Sequence, residues 1–168
     1  MAGDKYLYNN AGVTTEKAAI QTSAGAGDAG KIPAVNASGV FDTSFMPPGI
    51  AADTAAITAS EALAAGDLVN VWNSSGAKVR KADATTAGKE AHGQVLAAVS
   101  SSASATVYFE GNNTSVTGLT PGVQYLSTTA GLCTATAPTG AGNVVQRVGF
   151  ATSATALNFQ SQPPVVLA

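Results

Sequence analysis

Ala105-Thr106-Val107-Tyr108-Phe109-Glu110 decides the fold class. Its side chains alternate: Val107 and Phe109 point one way, while Thr106, Tyr108 and Glu110 point the other. A period of two is the signature of a half-buried β-strand, and β-branched and aromatic residues favour a pleated surface. Working outward, strands are expected at Ala55–Ala59, Leu68–Asn73, Lys78–Lys81, Gln94–Val99, Gln124–Ser127, Leu132–Thr136, Val144–Gly149 and Ala154–Phe159. Turn chemistry separates them at Asn73-Ser74-Ser75-Gly76, Gly111-Asn112-Asn113, Thr120-Pro121-Gly122 and Thr129-Ala130-Gly131. Ser60–Ala65 and Thr85–Glu90 have room for one helical turn each. Short, evenly spaced strands predict a mainly β chain, a compact β-barrel or β-sandwich over residues 54–168.

Residues 1–53 read as an extended, largely irregular N-terminal arm. Pro33, Pro47 and Pro48 forbid long helices, and Pro47-Pro48-Gly49 marks a break. Short extended pieces are expected at Lys5–Tyr8 and Gly39–Phe41. Such a segment gains order by lying on something else.

Composition explains why a partner is expected. Ala, Gly, Ser and Thr supply about half of the 168 residues, and Val, Ile, Leu and Phe only about a fifth. Burial contributes roughly 25 cal/mol per Å² of apolar area, so small side chains add little each. Ordering the backbone still costs about 1–2 kcal/mol per residue. Surface buried against identical neighbours offsets that cost. From Gly111 to Ala168 the only formal charge is Arg147, and Thr, Ser, Asn and Gln fill the outward strand positions. Such a surface suits contact between subunits or with another protein layer.

The same inventory argues against several chemistries. Eight basic residues without a cluster, and a net charge of −2, offer no grip on a phosphate backbone, so no nucleic-acid partner is expected. No apolar run approaches the ~20 residues that cross a bilayer, and no signal peptide opens the chain, so a membrane partner is not expected and synthesis in a cytosol is. The single cysteine, Cys133, excludes an internal disulfide and reads as a small buried apolar residue.

Gly25-Ala26-Gly27-Asp28-Ala29-Gly30 matches G-x-G-x-x-G by letter, and Gly25 to Lys31 approaches a P-loop. Both motifs need a strand before and a helix after. Ile20-Gln21-Thr22-Ser23-Ala24 makes a poor buried strand, Pro33 stops a helix, and Ile32 stands where a magnesium-binding hydroxyl is required. A triad would need His92, the one histidine, which reads instead as a turn or packing residue. The acids show neither zinc nor calcium spacing. Asn36, Asn73, Asn112 and Asn113 open glycosylation sequons by letter but read as turn residues. Trp72 and Phe109 make a possible sugar platform, with a core role the simpler reading. No catalytic, cofactor-binding or metal-binding residue is therefore assigned, and no cofactor is expected.

The stretch Asp28-Ala29-Gly30-Lys31-Ile32-Pro33-Ala34-Val35-Asn36-Ala37-Ser38-Gly39-Val40-Phe41-Asp42-Thr43-Ser44-Phe45-Met46-Pro47 resembles one common to tailed-bacteriophage fibre and head-decoration proteins. Ala59–Asn70, Arg80–Ala84, Leu119–Ser127 and Val145–Ala151 are similar to the capsid decoration (cement) group, so the likeness spans about residues 28 to 160. It implies a homotrimer of β-rich subunits without catalytic residues. The expected function is a structural virion protein that binds the major capsid protein on the outer surface of the phage head. Its expected location is the virion, after synthesis in the host bacterial cytoplasm. A tail-fibre or head-fibre module for receptor binding or attachment is the alternative.

Overall fold

The computed structural model describes residues 5–46 and 52–168, and the expected break at Pro47-Pro48-Gly49 lies outside them. The chain separates into two compact units, Met1–Ala51 and Ala52–Ala168. In the first, β1 (Lys5–Asn10) and β2 (Val13–Ala18) pair antiparallel as a hairpin, in register from Lys5 opposite Ala18 to Asn10 opposite Val13. The turn is Ala11-Gly12, both at positive φ, as the twist of a two-residue hairpin loop requires. Asn9 Oδ1 accepts the Gly12 N–H at 2.7 Å.

The rest of this unit is irregular but bonded. Ile20 bridges Pro33, and single 3-10 turns form at Ala26–Asp28 and Thr43–Phe45. The extended piece expected at Gly39–Phe41 is not a strand. Asn36 Oδ1 accepts the Ser38 and Val40 N–H groups, and Gly39 takes a φ of 75°, which bends the chain into a turn.

The second unit is built from β3 (Thr54–Ala59), β4 (Leu68–Asn73), β5 (Ala77–Lys81), β6 (Gly93–Gln94), β7 (Ser104–Tyr108), β8 (Glu110–Asn113), β9 (Gly122–Leu126), β10 (Cys133–Thr134), β11 (Val144–Val145), β12 (Arg147–Ser153), β13 (Ala156–Gln160) and β14 (Val165–Val166). The mainly β expectation is met, with the strands divided among several sheets. Strands β3-β5-β4-β6-β7 pair in succession, and β7 returns to β3 to close a ring. Only the β3–β5 pairing is parallel in that ring. A five-stranded antiparallel sheet runs β10-β9-β12-β13-β8, and β11 pairs with β14.

Each sheet closes over its own apolar cluster. Ala59, Leu63, Val69, Val79, Val95, Ala105 and Val107 fill the ring. Leu126, Val148, Leu157 and Phe159 cover Leu68, Ala82, Ala84 and Ala91 beneath the five-stranded sheet. Phe159 is the largest fully buried side chain. Elsewhere Val, Leu and Ala do the filling, as the composition requires.

Several expected boundaries shift, each because a backbone group finds another partner. The strand expected at Ala105–Glu110 breaks at Phe109, whose N–H donates to Asp53 O at 2.9 Å, and the chain passes there from ring to sheet. The expected turn Gly111-Asn112-Asn113 is strand β8, paired throughout with β13. The Gln94–Val99 strand stops at Gln94, because Val95 N–H turns to Asp67 O, and Val99 is left in an isolated bridge with Leu63. Leu132–Thr136 shortens to two residues; beyond them Thr134 Oγ1 accepts the Thr136 N–H. Val144–Gly149 divides at Gln146. The one-turn helices allowed at Ser60–Ala65 and Thr85–Glu90 are bends and turns, held by Asp67 on Ala64 N–H and by Asp83 on Thr85 N–H.

Candidate assembly surface

The motif residues found by letter are engaged within the chain. Asp28 sits inside the glycine-rich loop, where its carboxylate accepts the Ala24 N–H at 2.6 Å and pairs with Lys31 at 2.6 Å. The Lys31 hydrogen bond, and then the Ala24 amide, hold this carboxyl below the usual carboxylate range. An amide and the ammonium that a phosphate would need are thus occupied by an anion of the chain itself.

His92 works as a piece of sheet. Its N–H donates to Val69 O at 2.8 Å, and its Nδ1 accepts the Val71 N–H at 3.1 Å, extending the β4–β6 ladder with a side chain. Trp72 donates from Nε1 to Ser60 Oγ, and Arg80 lies 4.5 Å from its ring centroid. Phe109 packs separately, against the ring cluster. Asn36 and Asn73 hold turns, as expected. Asn113 instead is fully buried in β8, where it donates to Gly66 O at 3.1 Å and accepts the Ser115 N–H.

Cys133 lines a groove of about 390 Å³ between residues 64–68, 115–119 and 131–133. Burial pushes its thiol up to about 11, so the nucleophilic thiolate is scarce at neutral pH. The carboxylate in the same groove, Asp67, accepts the Ala64 N–H at 2.8 Å and lies 3.4 Å from Lys81 Nζ. Among the described residues, no group of three or more His, Cys, Asp or Glu side chains is placed to hold a metal ion. No helix of the described residues is long and apolar enough to cross a membrane.

The surface that stands apart is the outer face of the five-stranded sheet. Register defines it in cross-strand rows. Thr134, Tyr125 and Arg147 form one; Val123, Phe150, Asn158 and Asn112 form the next; Gln160 and Glu110 complete it. Their neighbours Gln124, Leu126, Val148, Leu157, Phe159 and Asn113 are buried on the opposite side. A bulge between Arg147 and Gly149 puts Arg147 and Phe150 on the same face despite their odd spacing. Val123 and Phe150 remain 39% and 40% exposed at the centre. Glu110 and Arg147 are the two charges on this face, and neither has a salt bridge among the described residues.

The charge vacancy after Gly111 was visible in the sequence, but the rows were not, because the bulge sets their register. Gln146 was also missed. It is 2% exposed, accepts the Ala91 N–H at 2.8 Å through Oε1, and donates to Ala91 O at 2.9 Å through Nε2. A lone Gln within Val144-Val145-Gln146-Arg147-Val148 was the available signal. Comparisons of the chain with protein-family models, characterised proteins and solved structures return no match.

Proposed function

We propose that this chain is a structural virion protein, a homotrimeric decoration (cement) protein that binds the outer surface of a phage head and stabilises the shell without catalysis. In this reading the second unit is a small barrel with an attached sheet, and its partners are its own copies and the major capsid protein. The protein is made in the host bacterial cytoplasm and ends on the virion surface.

The observation that carries the reading is the outer face of the five-stranded sheet. Asn, Gln and Thr there surround an exposed Val123–Phe150 pair. Interface cores are depleted in charge and enriched in aromatic residues. The β1–β2 hairpin adds support: Leu7 is 71% and Val13 64% exposed. A two-stranded hairpin alone is marginal in water, and apolar contact with another surface would stabilise it. The resemblance of residues 28 to 160 to decoration proteins supports a phage head as the larger assembly in this reading.

Purified chain incubated with shells that lack it is the test. Saturable co-sedimentation at a fixed ratio to the major capsid protein is expected, and failure to sediment contradicts the reading. The fibre-module alternative is favoured by the Gly30-Lys31-Ile32 stretch, which resembles one in tail-fibre proteins. It predicts binding to a tail or vertex structure in place of the shell surface.

A further inference from the structure

We infer that copies of this chain meet through the outer face of the five-stranded sheet, with Arg147 of one copy against Glu110 of the next. The inference rests on the self-assembly part of the proposed function and goes beyond it by naming the face and the pair. Its apolar centre is Val123 beside Phe150, directly opposed on β9 and β12, with Tyr125 in the neighbouring row. Around them stand Thr134, Asn158, Asn112 and Gln160, whose hydroxyl and amide groups donate and accept equally well. Such a face asks nothing of its partner's charge except at two points.

Those two points identify the occupant. Glu110 lies on edge strand β8 and Arg147 on central strand β12, with β13 between them. Two strand spacings separate their backbones by roughly 10 Å, and no ion pair joins them among the described residues. Both are exposed and opposite in sign, so the face is neutral overall and complementary to another copy of itself. An acidic or basic partner would leave one of the two charges opposed by its like. A rotationally closed assembly places the β8 edge of each copy beside the β12 side of the next. Every Glu110 then meets an Arg147, and the Phe150 rings gather toward the axis.

The test uses the full chain in sedimentation equilibrium, with circular dichroism to confirm folding. Wild type is expected to associate. Phe150→Lys, Glu110→Arg and Arg147→Glu are each expected to weaken association at least about tenfold, and the double reversal E110R/R147E to recover most of that loss. Recovery marks a contact between copies, because loss of folding in either single variant would not be repaired by the other. A monomeric wild type overturns the inference, as does association insensitive to the three single changes. A double reversal no better than the single variants also overturns it.

Shell co-sedimentation of the same proteins separates the two claims. Wild type that binds shells while its self-association ignores these substitutions leaves the coat reading standing and removes this interface. Association that breaks and recovers as expected, in a protein that never binds shells, does the reverse. A monomeric wild type that loses shell binding on Phe150→Lys would assign the face to the shell and overturn the inference.

Discussion

The ring β3-β5-β4-β6-β7 and the sheet β10-β9-β12-β13-β8 each close over an apolar cluster, but they differ outside. Around the ring, several charges are held by the chain, although Lys78 on β5 has no salt bridge among the described residues. Lys81 meets Asp67 at 3.4 Å and Lys89 meets Asp83 at 2.9 Å. Arg80 stacks on Trp72, donates to Asn70 Oδ1 at 3.0 Å, and reaches Gly88 O at 2.6 Å. The outer face of the sheet leaves two opposite charges without a salt bridge among the described residues, and an aromatic residue two-fifths exposed. Loops of the chain hold Lys81, Lys89 and Arg80 at the ring, whereas the sheet face keeps an apolar pair and two charges exposed. The proposed self-association uses that side of the unit, where the strand register sets Val123 beside Phe150.

The substitution with the largest expected effect breaks the sheet and spares the ring. Gly149 has a φ of 133°, and a Cβ there would lie 2.0 Å from Asn158 O. Gly149→Ala is expected to destabilise by more than about 4 kcal/mol, among the most damaging of point changes. Urea unfolding gives the loss directly, and hydrogen exchange should show it first in β12 and β13.

Gln146→Ala comes next and tests the join between the two regions. It strands the buried Ala91 N–H, leaves the Ala91 C=O with the Ser161 hydroxyl as its remaining donor, and removes the contacts from the amide to Ser161 and Gln162. A loss of about 1–3 kcal/mol is expected, since each buried polar group left unpaired costs on that order. An unchanged urea midpoint would mean that water replaces the amide.

The smallest effect sharpens the contrast through pH. Burial pushes the Asp83 carboxyl upward, but hydrogen bonds from Thr85 and Lys89 outweigh it and hold the group below its usual range. A carboxyl depressed on folding contributes stability above its unfolded value of about 3.9, and that stability is lost as pH falls through the folded value. Urea midpoints should therefore drop as pH is lowered below about 4, with Asp83→Asn flattening that part of the curve. Local exchange should rise around residues 83–90 in acid while the sheet holds.

The fold was legible where local chemistry and tertiary pairing agree. Leu68–Asn73, rich in β-branched and aromatic residues, is strand β4 with the expected bounds. It was illegible where pairing overrides composition. Gly111-Asn112-Asn113 has turn letters, but β13 and the Gly66 carbonyl hold it as a strand. Val13–Ala18 shows no alternation and forms only as the return of a hairpin. The candidate surface was half legible: charge depletion is a property of sequence, whereas the grouping of Arg147 with Phe150 depends on a bulge that only register reveals.

Quantitative protein stoichiometry of intact, purified particles tests the central claim most directly. A decoration protein is predicted at on the order of hundreds of copies per head, in fixed ratio to the major capsid protein, as repeated lattice sites require. A count of a few to a few tens would contradict that account and assign the chain to a fibre.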